Sequence, residues 1–289
     1  MPVSPAVLPQ PTIAARLRAA GCVYAEEEAE LLVSEAGTAA ELAAMVERRA
    51  SGLPLEQIIG WAGFCGLRIA VEPGIFVPRR RTEFLVSQAI DLVSGDDGAI
   101  SGTIDAARRP DDAGDTRTKA RTVVVDLCCG SGAVGAALAA DLDHVELYAA
   151  DVDATAVRCA RHNTADAGGR VFQGDLYAAL PAELRGRVDL LAVNAPYVPA
   201  DEIRLMPPEA RNHEPLFTLS GGADGLDVQR RVAAEAALWL APGGHLLLET
   251  SERQAPDTIG IMEGNGLVPR VERSEELDAT VVVGTRAEH

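Results

Sequence analysis

The sequence predicts an α/β protein in which a mostly parallel sheet, with helices on both faces, follows a small helical domain. Two patterns support this prediction. From residue 121 onwards, short apolar runs alternate with stretches of helical length, which is typical of parallel strands joined by helices. Residues 1 to about 52 show only helical periodicity, in three short segments. A chain of 289 residues, 47% of them hydrophobic, is long enough for one main domain and a smaller one.

Residues 1–60 are predicted to form the N-terminal helical domain. One helix covers 11–20 and ends at Gly21, and a second begins near Tyr24 with glutamates in its first turn, where they suit the helix dipole. The segment from Thr38 to Glu41 is a capping box that opens the third helix. The apolar faces of these helices are narrow, so we expect the domain to pack on the main domain or on a partner.

Residues 61–83 are predicted to be a β-hairpin that links the two domains. Residues 64–71 alternate like a strand, 72–74 form a turn, and 75–77 provide the second strand. The run Arg79-Arg80-Arg81 follows, and we expect it to be a solvated, positively charged segment.

Residues 84–289 form the predicted main domain, which contains a flexible polar insertion at 94–120. Its strands are expected at 123–127, 145–150, 171–173, 188–193, 245–249, 267–273 and 279–284. A helix that begins at Thr82 and Glu83 is expected to lead into the domain and run to Val93, and further helices are expected at 133–140, 154–167, 225–240 and 257–263. The last two strands have no helix between them. We therefore expect them to close the sheet as an antiparallel hairpin at one edge.

Charge and cysteine content narrow the classes of function. The net charge of −17 disfavours a nonspecific nucleic-acid binder, because such a protein needs a cationic face for phosphates. Five cysteines without a C-x-x-C pair predict neither a disulfide framework nor a metal site, and they fit a reducing cytosol. No apolar run reaches ~18 residues and the first residues lack a signal pattern, so we expect a soluble cytoplasmic protein without membrane contact.

A glycine-rich loop joins the first strand of the predicted sheet to the helix after it. It reads Asp126-Leu127-Cys128-Cys129-Gly130-Ser131-Gly132. Its glycines let the backbone approach a ligand, and the N–H groups that open the next helix can bind an anion. Asp151 comes at the end of the second strand, where its carboxylate is placed to accept hydrogen bonds from ribose hydroxyls.

This loop by itself leaves two classes of ligand open. Gly130-x-Gly132-x-x-Gly135 also fits the dinucleotide fingerprint, with Asp151 about where that fold places its acid. A phosphate-binding P-loop is excluded, since no Gly-Lys-Ser/Thr follows. The position of Asp126, four residues before Gly130, favours instead a nucleoside with an amino-acid tail. The carboxylate of that tail would meet the loop N–H groups, and acidic side chains would face its positive end.

The second motif, Asn194-Ala195-Pro196-Tyr197, has no role in hydride transfer. It follows the apolar run 188–193, so Asn194 is expected at the C-terminal edge of the sheet, where open α/β sheets bind ligands. The Asn194 amide oxygen and the Ala195 carbonyl can together accept both hydrogens of a planar NH2 group. Pro196 fixes the turn, and the Tyr197 ring can cover a flat substrate.

Taken in order, these motifs resemble the class I S-adenosylmethionine-dependent methyltransferases, and more closely the HemK/PrmC-type protein-glutamine N(5)-methyltransferases. The resemblance runs from about Gly52 to Arg286 and includes further segments at 52–60, 78–83, 213–215, 221–227 and 247–249. It implies a seven-stranded, mostly parallel Rossmann-like sheet with a small N-terminal helical domain that recognises the substrate. It also implies methyl transfer from S-adenosylmethionine to a glutamine side-chain amide in a protein. The family's known substrates include peptide-chain release factors, through their Gly-Gly-Gln loop.

The resemblance assigns roles to the site residues as well. Asn194 and the Ala195 carbonyl would hold the substrate amide, with Pro196 and Tyr197 as walls of the pocket. The ribose would lie at Asp151 and the adenine near Asp175 and Leu176. The full set of expected cofactor-binding residues is Asp126, Cys128, Cys129, Gly130, Ser131, Gly132, Asp151, Asp175, Leu176 and Asn194. No metal is expected.

The chain departs from the family pattern in several places. Ala195 replaces the first proline of Asn-Pro-Pro-Tyr but keeps the carbonyl. The segment Pro-Arg-Pro-Glu/Asp-Thr-Glu reads Pro-Arg-Arg-Arg-Thr-Glu here, from Pro78 to Glu83, which adds positive charge beside the site. The helical domain is shorter by roughly a helical hairpin, and the insertion at 94–120 is longer. These differences point to a paralogue with its own target.

The sequence leaves other functions open. An amino methyltransferase acting on adenine or another nucleobase would use the same pocket chemistry, and so would one acting on a small molecule. A module that binds the cofactor and a protein partner without catalysis is a further alternative, which the change at Ala195 permits. A nicotinamide dehydrogenase is the least favoured, because it has no use for Asn194.

Overall fold

A computed structural model describes residues 9–95 and 121–288. The helices are α1 Gln10–Ala19, α2 Ala25–Glu35, α3 Ala39–Ala50, α4 Leu55–Ile59, α5 Glu83–Ser94, α6 Ala133–Asp141, α7 Ala154–Asn163, α8 Pro208–His213, α9 Asp227–Trp239 and α10 Ala255–Gly264. The strands are β1 Trp61–Phe64, β2 Leu67–Ala70, β3 Thr122–Leu127, β4 Val145–Asp151, β5 Arg170–Gln173, β6 Val188–Val193, β7 Leu240–Thr250, β8 Leu267–Ser274 and β9 Ala279–Arg286. Beyond Gly95, the predicted insertion at 94–120 lies outside the described residues.

The N-terminal helices α1 to α4 build an apolar core of their own. Ile13, Leu17, Leu32 and Val46 are buried in it, together with neighbouring alanines. The capping box is formed as predicted, since the Thr38 hydroxyl accepts the Glu41 N–H at 3.1 Å. Helix α4 is an addition to the prediction, because five residues are too few to show a periodic pattern.

The predicted hairpin is real, but its strands and turn were placed wrongly. β1 pairs with β2, Phe64 opposite Leu67, so the turn is Cys65-Gly66 rather than 72–74. Both turn residues have positive φ, 48° and 73°, which is the geometry of a two-residue hairpin turn. The apolar alternation runs through this turn without interruption, so the pattern alone concealed it. Residues 75–77 belong to no strand.

The main sheet has seven strands in the order β5-β4-β3-β6-β7-β9-β8 among the described residues. Strands β3 to β7 are parallel, and β9 and β8 complete the sheet as the predicted antiparallel pair, with β8 at the edge. The chain runs from β3 outward through β4 to β5 and then returns to β6 on the other side of β3. This reversal opens a crevice at the carboxyl ends of β3 and β6, which is where such sheets bind ligands.

Each face of the sheet is covered by helices. β3 alternates accordingly: Val123, Val125 and Leu127 pack on the side of α9 and α10, while Val124 packs on the side of α5 and α6. Burial on both faces explains why β3 and β6 read as continuous apolar runs. Among the described helices, none is long and apolar enough to cross a membrane.

Candidate active site

A cavity of about 830 Å³ lies at the carboxyl ends of β3, β4 and β6. It brings together the two motifs that the sequence singled out. The predicted site residues that line it are Asp126, Cys128, Cys129, Gly130, Ser131, Asp151, Asp175, Leu176, Asn194, Ala195, Pro196 and Tyr197. Gly132 does not line the cavity, and its need for glycine has another cause. Its φ is +77°, and an added Cβ would lie 2.9 Å from Cα of Ala160 in α7, so it permits close helix packing.

The glycine-rich loop after β3 uses much of its own hydrogen-bonding capacity. The Cys129 N–H donates to the Ala150 carbonyl at 3.1 Å, and the Gly132 N–H donates to the Cys129 carbonyl at 2.7 Å. The Gly130 N–H donates to Asp151 Oδ2 at 2.9 Å. In the described part of the chain, the Ser131 N–H has no such acceptor and remains available to an anionic ligand.

Two acids, one buried and one half-buried, hold this loop in place. Asp126 is 2% exposed and accepts the Gly135 N–H at 2.9 Å, which ties β3 to the first turn of α6. Burial raises the pKa of Asp126 to about 7, although the Gly135 N–H opposes the shift. Asp151 accepts N–H groups from Gly130 and Asp153, both at 2.9 Å. Burial also raises the pKa of Asp151.

Asp175 and Leu176 follow β5 in the chain, and both line the cavity. The Asp175 carboxylate is exposed and forms an ion pair with Arg231 of α9, at 2.7 Å. Leu176 has a φ of +47° and lines the cavity beside Cys128. A purine amino group approaching Asp175 would therefore share the carboxylate with Arg231.

Asn194 is oriented by a network that reaches across three elements. Its Nδ2 donates to the hydroxyl oxygen of Thr82 at 3.0 Å, and Thr82 is 2% exposed. Burial raises the pKa of Glu249, at the end of β7, while the nearby hydroxyls of Thr82 and Tyr197 lower it. Glu249 Oε2 is buried and has no hydrogen-bond partner among the described residues. The Thr82 hydroxyl oxygen is the acceptor for Asn194. The amide nitrogen of Asn194 is thereby held by the protein.

The amide oxygen of Asn194 is left for a ligand. Among the described residues no donor reaches Asn194 Oδ1, and none reaches the carbonyl of Ala195. Tyr197 closes the network, since its hydroxyl donates to Glu249 Oε1 at 3.1 Å. Burial raises the pKa of Tyr197, and the nearby Glu249 carboxylate adds to the shift. The arrangement presents two acceptors and a phenol ring to the cavity.

Sequence reasoning missed Thr82 and Glu249 as parts of this network. Both lie in segments that carry the family resemblance, but no pattern along the chain links them to Asn194. A signal did exist for Glu249, because it is an acid at the end of an apolar strand, like Asp126 and Asp151. Phe76, Met206 and Phe217 were also missed as apolar walls of the cavity.

Comparisons with known proteins agree with this geometry. The family described as "Methyltransferase small domain" matches residues 115–206. A Geobacter sulfurreducens protein named release factor glutamine methyltransferase is 33% identical over 231 residues, covering 78% of this chain and 72% of that protein. A Streptomyces coelicolor protein of the same name is 36% identical over 210 residues, covering 73% and 67%.

Two further comparisons define the fold and the breadth of the family. A Streptomyces pristinaespiralis protein named 4-amino-L-phenylalanine/4-methylamino-L-phenylalanine methyltransferase is 35% identical over 221 residues, covering 76% of this chain and 69% of that protein. A methyltransferase structure from Pyrococcus furiosus has a TM-score of 0.50 at 16% identity, covering 77% of this chain and 90% of that chain. The protein thus has the class I methyltransferase fold and belongs to the HemK/PrmC-type, release factor glutamine methyltransferase family.

Proposed function

We propose that this protein transfers a methyl group from S-adenosylmethionine to the side-chain amide nitrogen of a glutamine in a protein, with a peptide-chain release factor as the first candidate. The observation that carries the proposal is the oriented amide of Asn194, whose Nδ2 is held by Thr82 at 3.0 Å. Relatives named release factor glutamine methyltransferase, at 33% and 36% identity, support the same reaction.

The cavity fits the proposed cofactor. Its volume of about 830 Å³ leaves room for a nucleoside, an amino-acid tail and a substrate side chain. Asp151 keeps lone pairs for ribose hydroxyls after accepting two N–H groups, because each carboxylate oxygen accepts two hydrogen bonds. The free N–H of Ser131 suits the carboxylate of the tail, and Asp126 suits its positive end. When bound, S-adenosylmethionine supplies a methyl group on a positively charged sulfur.

Catalysis in this site would come from orientation. An amide nitrogen is a weak nucleophile, because its lone pair is delocalised into the carbonyl. We infer that Asn194 Oδ1 and the Ala195 carbonyl accept its two hydrogens, which aims the lone pair out of the amide plane. Tyr197 and Pro196 would exclude water from one face. Placing reactants well can lower a barrier by ~7–11 kcal/mol. On gaining the methyl group the nitrogen would become strongly acidic and would release one of its two hydrogens as a proton to water, so the site needs no strong base.

A second candidate is methylation of a small arylamine. The relative named 4-amino-L-phenylalanine/4-methylamino-L-phenylalanine methyltransferase, at 35% identity, favours it. An arylamine also presents a planar NH2 group to Asn194 and Ala195. The aromatic walls Phe76 and Phe217 suit a ring as well as they suit a peptide side chain.

The proposed setting of the reaction is the cytoplasm, as the sequence predicts. All five cysteines are free, as expected for a protein that works in a reducing compartment.

Within the described residues, no group of histidine, cysteine or acidic side chains is arranged to hold a metal ion.

The test is methyl transfer from labelled S-adenosylmethionine into an extract of the source organism. The labelled product is split between protease and nuclease treatment and then acid-hydrolysed. We expect label that protease removes and that acid releases as methylamine, because an N-methyl amide gives that product. Label that nuclease removes would replace the proposal with a nucleobase substrate, and label found only in small molecules would favour the arylamine candidate.

Variants of the orienting network sharpen this test. Asn194→Ala should abolish transfer while S-adenosylhomocysteine affinity stays within about tenfold, ~1.4 kcal/mol. Thr82→Val should lower kcat about 10- to 100-fold, because the Asn194 amide loses the acceptor that fixes its orientation, whereas Thr82→Ser should retain most of the rate. Loss of cofactor binding as large as the loss of rate would refute this division of roles.

A further inference from the structure

Arg81 lies beside the network that orients Asn194 and lines the same cavity. It belongs to the 3₁₀ turn Arg80–Thr82, directly before the threonine that holds Asn194. Its two neighbouring arginines are engaged elsewhere. Arg79 forms an ion pair with buried Glu214, and Arg80 approaches Glu276 at 3.9 Å. Arg81 has no ion pair or hydrogen bond within the described ranges.

The guanidinium of Arg81 acts on the site by its charge. It lowers the pKa values of both Tyr197 and Glu249, against the larger effect of burial. It forms no ion pair with Glu249, whose Oε1 accepts the Tyr197 hydroxyl. Arg81 is instead an exposed cation at the cavity wall. A guanidinium with unused donors is a ready partner for a planar carboxylate, which it binds through two parallel hydrogen bonds.

Both acidic and basic side chains line the cavity. Asp126, Asp151 and Asp175 line the end formed by the loops after β3, β4 and β5. Arg81 lies on the Asn194 side, because it directly precedes Thr82, which accepts from Asn194, and Glu249 lies there as well, hydrogen-bonded to Tyr197. Apolar lining is provided by Phe76, Pro196, Met206 and Phe217. The Asn194 side therefore combines two acceptors for an NH2 group, a Glu249 whose Oε1 is occupied by Tyr197, and one cation, Arg81, that has no ion pair among the described residues. In the family pattern given above, a glutamate or aspartate occupies the position of Arg81, so the charge at this point is reversed.

We propose that Arg81 is a specificity residue that binds a carboxylate on the substrate, so that the methylated NH2 group belongs to an anionic molecule or segment. The inference rests on the proposed function, because it concerns the substrate of the same cavity. The carboxylate has two possible sources. One is an acidic side chain next to the methylated glutamine, and the other is the carboxylate of a small aromatic amino acid.

A binding experiment tests anion recognition without methyl transfer. The protein is saturated with S-adenosylhomocysteine and titrated by calorimetry with 3-phenylpropionate and with its methyl ester, which is neutral and has no NH2 group for Asn194 to bind. We expect the acid to bind at least tenfold more tightly than the ester. The preference should disappear in Arg81→Gln and persist in Arg80→Gln, the adjacent exposed arginine that does not line the cavity. Equal affinity of the wild type for both compounds, including absence of binding, would overturn the proposal, and so would a preference that survives in Arg81→Gln.

Methyl-transfer assays then separate the two sources of the carboxylate. One pair of substrates is a Gly-Gly-Gln peptide followed by aspartate or by asparagine, and the other is 4-amino-L-phenylalanine and its carboxamide. For the pair that is methylated, the ratio of kcat/KM for the acid over the amide should fall at least tenfold in Arg81→Gln and reverse in Arg81→Glu. If Arg81 served only as counter-charge to Glu249, both members of a pair would lose activity equally and the ratio would not move. Methylation of the arylamines alone would refute the glutamine proposal and leave that for Arg81 standing.

Discussion

At the scale of single residues, the protonation of the Asp126 carboxyl group gives the most informative test of the site. Its side chain is 2% exposed and has one backbone donor, Gly135, at 2.9 Å. Burial is the main cause of the raised pKa of about 7, and the charge of nearby Asp151 adds to it. Asp126 therefore changes from neutral to negative within the range in which enzymes are assayed.

We predict that S-adenosylmethionine binds more tightly as pH rises from 6 to 8. Below pH 7 the Asp126 carboxyl is largely protonated, and above pH 7 it becomes an anion that attracts the positive charges of the ligand. The expected gain is about tenfold, measured by calorimetry. Asp126→Asn should lack this gain, whereas Asp153→Asn, which keeps a capping side chain on α7, should retain it.

The comparison between the two proteins removes the titration of the ligand itself, which is common to both. If the wild type and Asp126→Asn gave parallel profiles, Asp126 would not face the positive end of the cofactor. The assignment of Asp126 as a cofactor-binding residue would then be wrong.

At the scale of elements, the loop 221–225 secures the backbone after Asn194. Gly225 has a φ of +82°, and an added Cβ would lie 2.2 Å from the Tyr197 carbonyl oxygen. Gln254 clamps the two segments together, since its Nε2 donates to the carbonyls of Tyr197 and Asp224, both at 2.9 Å. The glycine is needed for its conformation and for the close approach of two backbones.

We predict that Gly225→Ala destabilises the protein by at least about 2 kcal/mol, because it adds steric overlap to an unfavourable backbone conformation. The rate of methyl transfer should fall at least tenfold, since the overlap displaces Tyr197. Thermal unfolding and kcat are the measurements. The matched control is Gly260→Ala, within α10, where an added Cβ has no neighbour within 4 Å. Because alanine favours a helix more than glycine does, this control should stabilise by about 0.5–1 kcal/mol. Equal effects of the two substitutions would contradict this account of Gly225.

At the scale of the whole molecule, the N-terminal helices contact the segment that follows the Asn194 motif. Arg49 is buried in α3 and pairs with Glu28 of α2 and with Glu209 of α8, at 2.5 and 3.0 Å. The Gln57 side chain donates to the Ile75 carbonyl at 3.0 Å, which joins α4 to the segment before Arg79. The division into a substrate-recognition domain at 1–60, a linker at 61–83 and a main domain stays a prediction, and these contacts show how it can be tested.

We predict that Glu209→Gln raises KM for a protein substrate about three- to tenfold and leaves kcat/KM for a small arylamine within twofold. Only a protein substrate would extend from the cavity to the helices. Stability should change by less than about 1 kcal/mol, because Glu28 still neutralises Arg49. Glu47→Gln breaks an exposed ion pair within the helices and serves as the control. A proportional change for both substrates would mean that the helices support the cavity and do not recognise protein.

The sequence alone determined the family and the architecture of the sheet, both of which are confirmed. Apolar periodicity located every strand of the main sheet because each is buried on at least one face, and residues at strand ends must meet at one edge of a parallel sheet. The positions of Asp126, Asp151 and Asn194 around one cavity follow from this rule. Their assigned roles stay predictions.

Only the tertiary structure showed which distant side chains are in contact and where the hairpin turns, because local sequence patterns do not encode either feature. Thr82 and Asn194 are 112 residues apart, and Tyr197 and Glu249 are 52 apart, so only the folded chain makes them neighbours. The turn at Cys65-Gly66 was hidden because apolar alternation continues through it, although the backbone reverses there. Periodicity reports which face of an element is buried. It carries no information on which distant polar groups form hydrogen bonds with one another. Those hydrogen bonds orient Asn194 and leave Arg81 without an ion pair among the described residues.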